Sequence, residues 1–264
     1  MKGMLIDSTK CIGCRGCQIA CKQWNNLPAE KTEFFGGDGY QNPGRLSSKT
    51  WTLIKFNEIK KDTNVEWIFS KQQCFHCIEP SCVAVCPVCA LLKTKSGAVI
   101  YDPKKCIGCR YCQLACPFDI PCFDWDKPAP EIKKCNFCFD RIENGKKPAC
   151  AKACPADAIT FGERDDLIRE AEIRIADNPN KYINHIYGRF EAGGSSILHI
   201  AGVSFDKLGF RSDLPQSPAV VNKSEFAMKA IPYIMTGLGI LLGGCSWIIN
   251  RRNQNEASKT EKQT

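Results

Sequence analysis

Cysteine spacing constrains the fold of this chain more than any other feature of its sequence. Nineteen cysteines occur among 264 residues, and sixteen of them fall into four short runs. Within a run, neighbouring cysteines are mostly separated by two or three residues, so their thiols can face one metal centre but can seldom pair as disulfides. An oxidised secreted scaffold would be small and would carry dispersed cysteines in even number. The spacing therefore favours metal ligation.

The four runs repeat one pattern. They contain Cys11, Cys14, Cys17 and Cys21 in run one; Cys74, Cys77, Cys82 and Cys86 in run two; Cys106, Cys109, Cys112 and Cys116 in run three; and Cys135, Cys138, Cys150 and Cys154 in run four. Runs one and three share nine of their first eleven residues, and runs two and four share a longer gap before the third cysteine, which indicates an internal duplication. Runs one and three have the C-x₂-C-x₂-C-x₃-C spacing of bacterial ferredoxins, and runs two and four are stretched forms of it.

This spacing predicts how the cysteines pair. Three cysteines on a tight loop reach three corners of one [4Fe–4S] cube, and the fourth points toward a neighbouring cube. Two runs therefore make one unit with two clusters. Runs two and three are adjacent and predict one unit, which is then inserted into a second unit made by runs one and four. The predicted ligand sets are Cys11, Cys14, Cys17 and Cys154; Cys21, Cys135, Cys138 and Cys150; Cys74, Cys77, Cys82 and Cys116; and Cys86, Cys106, Cys109 and Cys112.

Three cysteines remain outside these sets, namely Cys89, Cys122 and Cys245. Each is expected to be a small buried hydrophobe, with Cys89 as the candidate for replacing a ligand or tuning a cluster. Structural zinc is the alternative metal for the runs. It requires two separated C-x₂-C knuckles, whereas these runs carry a third cysteine and then a fourth.

The net charge of +8 at first suggests a nucleic-acid partner. A [4Fe–4S]²⁺ cluster with four thiolates carries a charge of about −2, so four clusters would offset the protein charge. Basic residues near the runs are expected to supply this counter-charge: Lys10, Arg15, Lys22, Lys104, Lys105, Arg110, Lys133 and Lys134. Because no groove-reading motif accompanies them, the sequence favours no nucleic-acid partner.

The remaining sequence predicts an α+β fold with small additions to the cluster core. Residues 34–39 are expected to form a loop, residues 51–56 and 65–69 a β-hairpin, and residues 165–176 a helix. The predicted fold is two nested bacterial-ferredoxin-like two-cluster units with small β-hairpin insertions, a C-terminal arm and one transmembrane helix. The expected boundaries are residues 1–164 for the cluster domain, 165–226 for the helix and irregular arm, 227–250 for the transmembrane helix and 251–264 for a basic tail.

Residues 230–249 carry no charge, with Tyr233 near one end and Trp247 near the other. About twenty apolar residues span a bilayer, and aromatic residues favour its interfaces. The alternative is a buried helix of a soluble protein, but a stretch so rich in glycine would be a poor helix in water. Arg251 and Arg252 follow directly, which favours a cytoplasmic tail and a cluster domain on the extracytoplasmic side. No apolar signal region precedes run one, so export would require a partner that carries the signal.

The four runs, in this order, resemble the four-cluster iron–sulfur subunits of membrane-bound molybdopterin oxidoreductases and hydrogenases. Residues 48–52 and 116–121 are similar to the β subunit of respiratory formate dehydrogenase. Residues 187–188, 193–194 and 200–203 are similar to the HybA-type subunit of the hydrogenase-2 class. The resemblance implies that sixteen cysteines bind four [4Fe–4S] clusters, which relay electrons between a catalytic subunit and an integral membrane subunit. A hydrogenase-type partner is the leading expectation, and a formate dehydrogenase or other molybdopterin oxidoreductase is the alternative.

No catalytic residue is predicted. The chain contains no Walker loop, dinucleotide fingerprint or nucleophile–base arrangement, and His76, His185 and His199 are expected to be structural. We therefore expect a non-catalytic electron-transfer subunit in an anaerobic respiratory complex. Two other hypotheses stay open at this point: a redox enzyme with a site-differentiated cluster, and a zinc-bound assembly module.

Overall fold

The computed structural model describes residues 1–32, 40–61, 64–125, 131–216 and 219–260. The loop predicted at residues 34–39 and the last residues of the predicted tail lie outside these ranges. Contacts divide the chain into two units, Met1–Val221 and Asn222–Thr264.

Helices and strands are mixed along the first unit. The strands are β1 (Lys2–Asp7), β2 (Thr52–Lys61), β3 (Asn64–Gln73), β4 (Leu91–Lys93), β5 (Val99–Tyr101), β6 (Cys122–Phe123), β7 (Ile132–Lys133), β8 (Ile159–Glu163) and β9 (Ile197–Ile200). The helices are α1 (Gly16–Trp24), α2 (Ser81–Ala84), α3 (Tyr111–Leu114), α4 (Phe139–Glu143), α5 (Ala149–Lys152), α6 (Arg164–Asp177) and α7 (Ala219–Thr260), the last of which runs into the second unit. This composition agrees with the predicted α+β class.

A three-stranded sheet joins the two ends of the first unit. Its order is β8-β1-β9, with β1 antiparallel to β8 and parallel to β9. Side chains of β1 alternate between two faces, as strand geometry requires. Met4 and Ile6 pack into the larger core with Ile159, whereas Leu5 packs with α6. Both faces are covered, which is why the apolar residues of β1 form a continuous run rather than an alternating one.

Helix α6 covers one face of this sheet. Leu167, Ala171 and Ile175 are buried at four-residue spacing and pack against Leu5. This helix was predicted at residues 165–176 from the same spacing. Its apolar stripe is narrow, because most of the remaining positions are charged.

The sequence predicted an irregular arm after α6. For residues 180–216 that prediction is wrong. The segment contributes β9 to the sheet, and Tyr187 pairs with His199 through backbone hydrogen bonds of 3.0 and 2.9 Å. Tyr187, Ile197 and Leu208 are fully buried. The strand was missed because it has only four residues and includes a histidine, and because Gly193 and Gly194 precede it. The described residues from 165 to 216 belong to the first unit.

Three two-stranded sheets complete the first unit. Strands β2 and β3 pair antiparallel over ten residues each, from Thr52 opposite Gln73 to Lys61 opposite Asn64. The hairpin is longer than the predicted segments, and its turn lies outside the described residues. Strands β4 and β5 pair antiparallel, as do β6 and β7. In the sequence, the β4–β5 pair precedes run three and the β6–β7 pair follows it.

The second unit consists of most of helix α7. Its stretch Tyr233–Asn253 is long and apolar enough, by length and composition, to cross a membrane. The side chains of Leu238 and Trp247 are exposed. The helix continues through the predicted basic tail to Thr260.

Candidate metal centres

The structure brings the sixteen cysteines of the runs into four groups. We call them site 1 (Cys11, Cys14, Cys17, Cys154), site 2 (Cys21, Cys135, Cys138, Cys150), site 3 (Cys74, Cys77, Cys82, Cys116) and site 4 (Cys86, Cys106, Cys109, Cys112). Each group combines three cysteines from one run with one from another. The groups have the same members as the ligand sets proposed from the spacing.

Sites 1 and 2 each surround a small cavity. The four cysteines of site 1 line one of them, together with Ile6, Ile54 and Phe69. The four cysteines of site 2 line the other, together with Thr52 and Gln73. Within the described ranges, no three His, Cys, Asp or Glu side chains form a group that could hold a single metal ion. Each cavity is lined by four thiols, and four thiolates around one space are the ligand set of a [4Fe–4S] cluster.

The four thiols of site 3 lie close enough together to interact electrostatically, and so do the four thiols of site 4. Burial raises the pKa of the Cys77 thiol well above its usual value, and Cys116, Cys74 and Cys82 raise it further. Burial likewise raises the pKa of Cys112 to about 12, with Cys109, Cys86 and Cys106 adding to the effect. Grouped thiols of this kind would hold their protons in the absence of a metal. Metal ligation requires thiolates, so binding would release those protons.

Left-handed backbone turns shape the cysteine loops. In run one, Gly13 and Arg15 have φ of 68° and 59°, and the equivalent Gly108 and Arg110 of run three have 70° and 65°. At Gly13 a side chain would also collide, since an added Cβ would lie 2.8 Å from the ring of Phe69. The duplicated sequence thus folds twice into the same loop, which turns successive thiols to one side.

Backbone amides also point at the sulfurs. Gly108 N donates to Cys106 Sγ at 3.4 Å and Phe137 N donates to Cys135 Sγ at 3.3 Å. Ala90 N donates to Cys86 Sγ at 3.2 Å. Such bonds stabilise charge on sulfur and influence the reduction potential of an iron–sulfur cluster. The residues present therefore fit the proposed group.

Helix α1 connects site 1 to site 2. Cys17 and Cys21 are four residues apart on this helix, so they lie on one face, one turn apart. Cys17 belongs to site 1 and Cys21 to site 2. In run three, Cys112 lies on α3 and belongs to site 4, and Cys116 follows the helix and belongs to site 3. About one turn of helix thus sets the step from site 1 to site 2, and likewise the step from site 4 to site 3.

A buried lysine lies between sites 1 and 2. Lys71, on β3, is 2 % exposed and lines the cavity of site 1. As thiolates, Cys150, Cys17 and Cys135 raise the pKa of Lys71 above its ordinary value, although burial alone would lower it. Its ammonium group donates to the Gln73 side chain. Lys71 is therefore a fixed positive charge next to two proposed clusters, and it was not among the basic residues predicted to supply counter-charge.

The four sites follow one another in the order 1, 2, 3, 4. Neighbouring sites are linked by pairs of interacting thiols: Cys17 with Cys150, Cys135 with Cys74, and Cys82 with Cys112. Exposure changes along this order. All four thiols of site 2 are buried, whereas Cys14 of site 1 and Cys109 of site 4 are exposed. Among the sixteen grouped cysteines, exposed ones occur only at the two ends of the row.

The three histidines occupy different surroundings. His185 bonds to Glu191 at 2.6 Å on the surface, and His199 packs against Phe210 with ring centroids 4.8 Å apart. Both lie outside the four sites. His76 is fully buried, and its Nε2 lies 3.5 Å from Cys135 Sγ. Burial and the nearby lysines hold the pKa of His76 well below its usual value, so it is neutral. His76 was expected to be structural, and that expectation does not explain why its ring contacts Cys135 of site 2.

The three spare cysteines belong to none of the four sites. Cys122 is half-buried, and its thiol donates to the Ile120 carbonyl at 3.4 Å. Cys89 and Cys245 are exposed. The expectation that all three are buried is therefore wrong for these two: Cys89 lies on a turn with φ of 50°, and Cys245 lies on the apolar part of α7.

Comparison with protein families agrees with this geometry. Two family models match, and each is described as a 4Fe-4S dicluster domain. One covers residues 10–90, with runs one and two, and the other covers residues 65–164, with runs two to four. The chain therefore contains domains of the type that binds [4Fe–4S] clusters.

Curated relatives match most of the chain. A protein of Nitratidesulfovibrio vulgaris is 40 % identical over 97 % of this chain and 69 % of its own length. The iron–sulfur subunit of formate dehydrogenase-O from Escherichia coli is 35 % identical over 84 % of this chain and 73 % of its own length. The hydrogenase-2 operon protein HybA, also from Escherichia coli, is 36 % identical over 81 % of this chain and 73 % of its own length. This chain belongs to the family of 4Fe-4S dicluster proteins that includes these iron–sulfur subunits.

Proposed function

We propose that this chain is an electron-transfer subunit that holds four [4Fe–4S] clusters, one in each of sites 1 to 4. The observation that carries the proposal is the row of four cysteine groups, whose two ends have exposed thiols and whose second group is buried. Bound [4Fe–4S] clusters supply one-electron carriers. A row with accessible ends suits electron entry at one end and exit at the other.

The surfaces at the two ends of the row support electron exchange with partner proteins. Ile12 and Ile19 flank the ligands of site 1 and are 61 % and 62 % exposed. The equivalent Ile107 and Leu114 near site 4 are 65 % and 83 % exposed. Exposed apolar side chains beside a charged cofactor suit contact with a partner protein. The family relatives are subunits of formate dehydrogenase or products of a hydrogenase operon, so one partner is a catalytic oxidoreductase subunit.

The catalytic partner we propose is a hydrogenase-type subunit, because of the similarity of residues 187–188, 193–194 and 200–203 to the HybA-type subunit. A formate dehydrogenase-type partner is the second candidate, supported by the similarity to formate dehydrogenase iron–sulfur subunits over 84 % of the chain. Purification through a tag on this chain, followed by metal analysis, separates the two: nickel in the complex supports the hydrogenase type, and molybdenum or tungsten supports the formate dehydrogenase type.

Helix α7 supports a membrane location. We propose that Tyr233–Asn253 anchors the chain next to an integral membrane subunit, with Arg251 and Arg252 on the cytoplasmic side and the cluster domain on the extracytoplasmic side. Protease added to intact spheroplasts tests the orientation. Digestion of residues 1–216 is expected, and protection of that region would overturn the extracytoplasmic assignment.

The experiment that tests the function itself is anaerobic purification of the full chain with its partners. Reduction of its clusters by the catalytic substrate, observed by electron paramagnetic resonance (EPR), supports the relay. Substrate turnover by the isolated chain would instead favour a redox enzyme, and zinc in place of iron would favour an assembly module.

A further inference from the structure

His76 lies where the two two-cluster units meet. It stands between Cys74 and Cys77, which belong to site 3, yet its ring reaches Cys135 of site 2. It is fully buried, and its backbone has a φ of 49°. This contact links the cysteine loop of site 3 to a cysteine of site 2.

The tautomer of this histidine follows from its second contact. The backbone N–H of Val99 donates to Nδ1 of His76 at 2.9 Å. A ring nitrogen that accepts a hydrogen bond carries no proton, so the proton of the neutral imidazole is on Nε2. Nε2 is 3.5 Å from Cys135 Sγ. The ring therefore donates an N–H to the sulfur and cannot accept from it.

Three further contacts hold the donor and the sulfur in place. The imidazole stacks on the ring of Phe137, with centroids 4.9 Å apart and planes at 17°. Lys134 donates to the carbonyls of Val99 and Cys135, at 2.5 and 3.1 Å. Val99 thus positions His76 through its N–H and braces Cys135 through its carbonyl and Lys134. These contacts fix the position of the N–H relative to the sulfur.

We propose that His76 raises the reduction potential of the site 2 cluster by donating its Nε2–H to Cys135 Sγ. This inference rests on the proposed function, since it takes Cys135 as a cluster ligand. Reduction adds one electron to the cluster, from [4Fe–4S]²⁺ to [4Fe–4S]⁺, with no proton transferred and no bond broken. The reduced cluster carries more negative charge on its sulfurs, so a donor to sulfur stabilises it more than the oxidised one.

Two substitutions separate the two bonds of the ring. In His76→Asn, the side-chain oxygen occupies the place of Nδ1 and can accept from Val99, but the amide is too short to reach Cys135. In His76→Gln, the side-chain NH₂ reaches toward the sulfur. We expect the equilibrium constant for reduction of one cluster to fall about tenfold in His76→Asn, which is 59 mV for a one-electron couple, and to fall less in His76→Gln.

His199→Asn is the matched control. His199 is also a buried histidine, 1 % exposed, but it lies outside the four sites. All four potentials are expected to stay at their wild-type values in this variant. Iron analysis of each purified full-length protein, before titration, shows whether the clusters are loaded.

The readouts are an EPR-monitored redox titration and pulsed EPR of the reduced wild-type protein with ¹⁵N-labelled histidine. The proposal is supported by one lowered potential in His76→Asn and by a ¹⁵N coupling in the wild type that His76→Asn lacks. Unchanged potentials in an iron-replete His76→Asn protein would overturn it. If His76→Asn loads iron poorly, the wild-type spectrum decides: a histidine ¹⁵N coupling supports the bond, and its absence overturns it. If the purified wild-type chain contains no iron, the iron analysis already overturns the proposed function, before any potential is measured.

Discussion

Replacing Lys71 by methionine removes the buried positive charge beside sites 1 and 2 while keeping an unbranched apolar side chain of similar length. Once the neighbouring cysteines bind metal as thiolates, they raise the pKa of Lys71, so the residue is charged at neutral pH. Its loss makes the addition of an electron to either neighbouring cluster less favourable. The potentials of sites 1 and 2 are therefore expected to fall, and those of sites 3 and 4 to change much less.

The size of this effect follows from Coulomb's law. Two unit charges roughly 8 Å apart interact by about 2 kcal/mol at an effective dielectric constant of about 20. For a one-electron couple about 1.4 kcal/mol corresponds to 59 mV, so the expected fall is roughly 90 mV. Because Lys71 interacts with cysteines of both sites, two of the four potentials are expected to move together.

The assay is an EPR-monitored redox titration of the anaerobically purified full-length protein. Lys60→Met is the matched control, since Lys60 lies on the paired strand β2 and is exposed. An iron-replete Lys71→Met protein whose four potentials all stay within about 20 mV of the wild type would refute the electrostatic reasoning. An equal shift in Lys60→Met would show that the effect comes from net charge rather than from the buried position.

Three further predictions follow from the packing and from the exposed residues. Leu167→Ala leaves a cavity between α6 and the sheet and is expected to lower the free energy of unfolding by about 2–5 kcal/mol, which thermal unfolding of the iron-loaded protein would show; an unchanged melting temperature would contradict the packing. Leu238→Arg combined with Leu241→Arg places two charges within the apolar stretch, each costing about 3 kcal/mol in a bilayer. The chain is then expected to leave the membrane fraction on carbonate extraction, and full retention would contradict the anchor. Cys89→Ala is expected to keep the iron content and all four potentials of the wild type, and loss of iron would show that Cys89 is a ligand.

The cysteine groups could be foreseen because their spacing is a local property of the chain. Three cysteines at three-residue intervals must lie on one tight loop, and a fourth one helical turn further on must point to a neighbouring centre. Cys17 and Cys21 on α1 show this directly. The structure brings together the groups that this reasoning proposed, although at sites 1 and 2 the fourth cysteine comes from a distant run, as Cys154 does for Cys17 and Cys21 for Cys135.

Lys71 and His76 could not be identified from sequence in the same way. Lys71 lies in a polar stretch, and nothing in that stretch shows that β3 turns it inward. The partner of His76, Cys135, lies 59 residues along the chain, and the bond depends on how the loops of sites 2 and 3 pack together. Strand β9 was missed for a related reason, since a four-residue strand becomes recognisable only when β1 is beside it.

All sixteen grouped cysteines are expected to bind iron. The most direct test of this expectation is quantification of iron, inorganic sulfide and zinc in the anaerobically purified full-length chain, with Mössbauer spectroscopy to identify the cluster type. Four cubane clusters predict about sixteen iron and about sixteen sulfide per chain, all in [4Fe–4S] form. About eight iron per chain, or stoichiometric zinc without sulfide, would show that the sixteen cysteines do not hold four clusters.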